Sequence, residues 1–91
     1  MHFTWDETKR RENLVKHGFD FVDAPTVFEG LTFTFEDDRF AYGKQRFITL
    51  GLLRGRVVGI AHTEHDDQVR IISMREGTKR EQSIFFRHLT D

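Results

Sequence analysis

The chain has 91 residues, a formal net charge of -1, 32% charged side chains and no cysteine, which excludes thiol catalysis, thiolate metal sites and a disulfide framework. Its length fits one domain, 1–91, with a modest core that buries somewhat over ~60% of the surface of the unfolded chain, and its ten phenylalanines argue against disorder. No window approaches the ~18 consecutive apolar residues of a membrane span and the N-terminus lacks a signal-like stretch, so a cytoplasmic protein without membrane contact is expected.

Residues 3–5 read as a short strand. Thr4-x-x-Glu7 has the form of a capping box, and Gly18 follows Lys16 and His17 as a stop, predicting a mostly polar helix over about 6–17. Phe21, Ala24, Val27 and Phe28 at helical spacing predict a second helix, whose start Pro25 pulls towards Asp23. Beyond Gly30 the period changes, with Leu31, Phe33 and Phe35 alternating with Thr32, Thr34 and Glu36. After the connection EDDRFAYGK, three further strands are predicted over 46–52, 56–63 and 69–74. Arg54-Gly55 suits a tight hairpin, and His65-Asp66-Asp67 is the polar break before the last strand. Thr78-x-x-Glu81 is a second capping box, opening a helix to about Leu89. The sum is an α+β domain: an antiparallel meander of about four main strands, with two N-terminal helices and one C-terminal helix packed chiefly on one face.

Charge is distributed unevenly along this frame. Residues 1–38 carry nine acidic and four basic side chains, whereas 39–63 carry five basic and no acidic ones. A general nucleic-acid coat would be basic throughout, so the choice lies between a local anion site and solvated sheet edges. Two-residue loops at 54–55 and 66–67 would set Arg46 opposite Thr63 and Thr63 opposite Arg70. Two guanidiniums flanking one residue repel unless an anion lies between them, and the planar fork of arginine suits phosphate. A loop one residue longer or shorter would instead bring His62 to the Arg70 face. Arg75, five residues from Arg70, points to the other face of a straight strand, and joins the site only if the strand ends near Met74.

Three stretches, WDETKRRENLVKHGFDFVDAPTVF, YGKQRFITLG and RIISMREGTKRE, occur in that order. Together they resemble the BrnT family of type II toxins, over about residues 3–85. Trp5, Asp6, Lys9, Asn13, Lys16, His17 and Gly18 fit the first motif of that family, Tyr42, Gly43 and Arg46 the second, and Arg70, Ser73, Arg75 and Glu81 the third. Lys44 stands where the family usually has Glu, Gly77 where it often has Ala, and Phe85 where a Tyr commonly follows the glutamate. The resemblance implies a RelE-like fold and ribonuclease activity that slows translation. It also implies neutralisation by a BrnA-like antitoxin with a ribbon-helix-helix domain, a heterotetramer formed with the antitoxin dimer, and contact with DNA only through that partner.

Metal-independent RNA cleavage needs a proton acceptor, a donor for the leaving 5′ oxygen, and cations for the charged transition state. Arg46, Arg70 and Arg75 supply the cations in this reading. His62 and Tyr42 are the expected proton-transfer groups, with His17 and Glu81 as further candidates. Lys9, Lys16, His17 and Trp5 are the expected substrate-binding residues, with Phe40 beside Trp5 as a base-stacking candidate. Each has a structural counterpart: His17 as a helix C-terminal cation, Glu81 as a cap, Trp5 as core. No cofactor and no metal are expected. Two other readings stand beside this one, a non-catalytic module that binds RNA or an acidic protein, and a metal hydrolase using His62, Glu64, His65 and Asp66.

Overall fold

The structure, a computed structural model, describes residues 1–39, 43 and 45–90. Strand β1 (His2–Thr4) leads into helix α1 (Glu7–His17), and a 3₁₀ turn at Phe21–Asp23 runs directly into the short helix α2 (Ala24–Glu29). Four strands follow, β2 (Thr32–Glu36), β3 (Phe47–Leu53), β4 (Arg56–His65) and β5 (Gln68–Glu76), and helix α3 (Lys79–Thr90) ends the chain. Helix α1 is capped by Asp6, whose side chain accepts from the Lys9 N–H, and not by the Thr4 box expected from the sequence. The second box forms on both arms: the Thr78 N–H donates to Glu81 Oε1 at 2.9 Å and the Glu81 N–H donates to Thr78 Oγ1 at 3.1 Å.

The sheet order is β1-β5-β4-β3-β2. The antiparallel meander is present, but β1 adds a fifth strand parallel to β5, pairing Phe3 with Val69 and Thr4 with Arg70, so the sheet is mixed. Both hairpins close in two residues, since Leu53 pairs with Arg56 and His65 with Gln68. Arg54 and Gly55 both take positive φ, the geometry that matches the twist of a two-residue hairpin and that glycine adopts without strain.

Helices cover both faces of the sheet, against the expectation of one. Val58, Ile60, Leu53, Ile71 and Met74 pack with Phe21, Ala24 and Val27 in a first core, while Ile48, Leu50 and Val57 pack with Phe85 in a second. Neighbours such as Val57 and Val58 fall in different cores because strand side chains alternate between faces. A nearly continuous apolar run such as that of β3 is what burial on two faces requires.

The outer edge of β5 lies beyond the short β1 and is closed by a side chain. Asn13 of α1, itself buried, donates its amide to the carbonyls of Met74 and Phe19, both at 2.9 Å, and accepts from the Met74 N–H at 3.1 Å. One asparagine thus satisfies both backbone groups of an edge residue where a sixth strand would otherwise be needed.

Candidate RNA-binding face

The pairing of β4 with β5 changes register between Ala61 and His62. His62 pairs with Ile71 and Ala61 with Ser73, which leaves Ile72 as an extra residue, a β-bulge. Thr63, Ala61 and Gly59 alternate onto one face of β4, and their partners on β5 are Arg70, Ser73 and Arg75. The bulge therefore turns Arg75 to the face of Arg70, although the two are five residues apart. The expectation that they face opposite ways, or that β5 ends near Met74, is corrected: β5 continues to Glu76.

At one end of this face Arg70 lines a groove of about 430 Å³ together with Thr63, Glu64, His65, Gln68 and Gln45. Its side chain is exposed and makes no ion pair among the described residues. Arg46 precedes β3 by one residue and falls on the same face as Ile48 and Leu50 by alternation, yet it is not among the described residues lining that groove. Its carbonyl accepts from the Asp37 N–H at 2.8 Å, and its positive charge helps hold the buried Asp37 carboxyl below its usual range, behind the larger effect of hydrogen bonds from Arg39.

At the other end, a groove of about 640 Å³ is lined by the arginines Arg39, Arg75 and Arg80 and the carboxylates Glu36, Asp37, Asp38 and Glu81, together with Phe35 and Ile48. Arg75 donates to both Glu81 oxygens, at 2.7 and 3.0 Å. This paired hydrogen bond raises the pKa of Arg75 and lowers that of Glu81, so the carboxylate is a weak base and the guanidinium a fixed cation. Phe85 is buried in the second core and presents no hydroxyl.

His62 is not brought to the arginines. It lies on the opposite face of β4, fully buried, with its ring edge-on to Phe28 and stacked on Phe47. Its Nε2 meets Thr49 Oγ1 at 2.7 Å, and Thr49 meets Thr34 at the same distance, so a row of polar groups crosses three strands from the buried imidazole to the exposed Thr34. Burial pushes the imidazole down to about 4, which keeps it neutral, and its Nδ1 has no hydrogen-bond partner. Trp5 packs against the first core, edge-on to Phe21, and its indole donates to Glu7 rather than standing open to a base. Lys9, Lys16 and His17 do gather, on α1 beside Ile72 and Ser73, lining a shallow groove of about 300 Å³ at the edge of β5. Tyr42, Phe40 and Lys44 lie outside the described residues.

The bulge and the Glu81 clamp were not foreseen from the sequence, and neither was a place for His65, named there only as a metal ligand, in the groove of Arg70. Only the alternation of β4 would have pointed to His65, since it places His65 and Thr63 on one face. Among the described residues no three metal-ligating side chains gather, and alternation divides His62 and Glu64 from His65.

A family model for the ribonuclease toxin BrnT of type II toxin-antitoxin systems matches residues 5–81. The chain belongs to the BrnT family. Membership implies a ribonuclease toxin that works against a protein antitoxin, and the matched span contains every arginine of the face just described. A comparison with curated proteins returned no match. Among the described residues, no helix of this BrnT chain is long and apolar enough to cross a membrane.

Proposed function

We propose that this BrnT chain cleaves RNA without a metal ion, on the arginine-bearing face of β4 and β5. One observation carries the reading: the bulge at Ile72, which gathers Arg70 and Arg75 on a single face. RNA lies along that face with the scissile phosphate over Thr63, between Arg46 and Arg70, and Arg75 grips the same strand further along. Lys9, Lys16 and His17 meet its backbone beyond the edge of β5. The 2′-hydroxyl attacks the adjacent phosphorus and the bond to the 5′ oxygen breaks, leaving a 2′,3′-cyclic phosphate. One proton leaves the 2′ oxygen and one reaches the 5′ oxygen; Tyr42 is the proposed group for this exchange, because His62 is walled off in the core. The arginines stabilise the charged phosphorane, where a single well-placed donor contributes about 10²–10³ in rate.

The proposed antitoxin is a BrnA-like ribbon-helix-helix protein. It covers the arginines with acidic or helical segments, forms a heterotetramer through its own dimer, and alone touches DNA. The toxin acts in the cytoplasm. Incubation of the purified chain with RNA in excess chelator tests the central claim: cyclic-phosphate ends are expected, and Arg70→Ala is expected to abolish them while the fold persists. Intact RNA, or cleavage that needs a divalent ion, refutes it.

A further inference from the structure

The clamp on Arg75 has a second half. Gly59, paired with Arg75 across the ladder, is buried, and a Cβ built on it would lie 3.1 Å from Arg75 Nη1 and 3.5 Å from Cζ. The φ of Gly59 lies outside the left-handed region, so the backbone does not demand glycine there. The guanidinium packs against the strand in space that the Cβ of any other residue would crowd. Glu81 holds it from above and is itself fixed at the first turn of α3 by the reciprocal bonds with Thr78. Of the five N–H donors of an arginine, Nε–H and one Nη2 hydrogen remain for a ligand, since Nη1 donates to Glu81 and, at 3.3 Å, to the Glu76 carbonyl.

We propose that Glu81 and Gly59 are positioning residues: together they form a seat that presents the Arg75 guanidinium to the RNA backbone at a fixed place. The inference rests on the nuclease reading above and deepens it. A fixed cation aligns the strand, whereas a loose one attracts phosphate without aligning it. Displacement of about 1 Å in such a group costs about 10²-fold in rate.

Two variants disturb the seat from opposite sides. Glu81→Gln preserves a capping-box residue, since glutamine serves at that position, and removes the charge that holds Arg75. Gly59→Ala leaves Glu81 and α3 untouched and displaces the guanidinium by a few tenths of an ångström. Single-turnover cleavage of a defined RNA is measured at saturating and sub-saturating protein, with thermal melts confirming folding. The expected result is a fall in the saturated rate of about 10- to 100-fold for Glu81→Gln and about threefold for Gly59→Ala, whose shift is a fraction of 1 Å. The half-saturating concentration stays within about twofold, because the cation is still present. Arg75→Lys, which keeps charge but not the fork, falls likewise. Wild-type saturated rates in both seat variants, with Arg75→Ala defective, overturn the seat and spare the nuclease reading. Undiminished cleavage by Arg75→Ala overturns it too, and an inactive wild-type chain overturns both readings.

Discussion

The two faces of β4 solve opposite problems within one strand. On one side His62 is sealed between Phe28 and Phe47, neutral and bonded to Thr49. On the other, Thr63 and Gly59 pair with Arg70 and Arg75, each of which lines an open groove. A polar residue one step along a strand thus moves from core to working surface. The contrast teaches that residue type alone does not locate a candidate site: the imidazole, the usual proton carrier at neutral pH, is on the buried side, and guanidiniums hold the exposed one.

The largest test of this contrast is Arg70→Ala. On the open face it should reduce RNA cleavage by about 100-fold or more and leave the melting temperature within a degree or two, because the side chain is exposed and holds no partner among the described residues. A comparable loss of stability would mean that the two faces are not separable.

His62 supplies the opposite test, in stability rather than rate. Its pKa falls from 6.5 when free to about 4 in the fold, so the unfolded chain binds the proton first. Stability is full above about pH 6.5, declines as the pH falls towards 4 and levels off below, a change on the order of 3 kcal/mol. Glu81 and Asp37, held below their ordinary carboxyl values by Arg75 and Arg39, lose their contribution only at more acid pH. Urea titrations between pH 7 and 4.5 should show the slope in the wild type, and His62→Leu should flatten it.

Asn13→Ala should cost about 2–3 kcal/mol, because the Met74 backbone groups stay buried without partners. For a chain of this size that is a fall of roughly 10–20 °C in melting temperature. The smallest effect belongs to Thr78→Ala, about 1 kcal/mol from one lost cap bond. Chemical denaturation at pH 7 ranks the two.

Much of the frame was legible in the sequence, because the alternation of β2, the apolar runs of β3 and β4 and the two-residue hairpins are local properties. The two-sided core was legible in principle from the apolar run of β3 but reads equally as a single strong strand. The bulge was not legible: Ile71-Ile72-Ser73 contains no glycine, and only the pairing with Ala61 and His62 reveals the extra residue. That single insertion decided where Arg75 points. Asn13 is a similar case, since its spacing sets it on the helical face of Lys9 and Lys16 while its amide is committed to the sheet edge.

The parallel pairing of β1 with β5 has a consequence for how the molecule is made. Residues 2–4 find their partners only at residues 68–70, so β1 and the Arg70 strand complete one another after about three quarters of the chain has been synthesised. A nascent or prematurely ended chain therefore lacks a framed Arg70, and the proposed RNA-binding surface comes into being only when the last strand does.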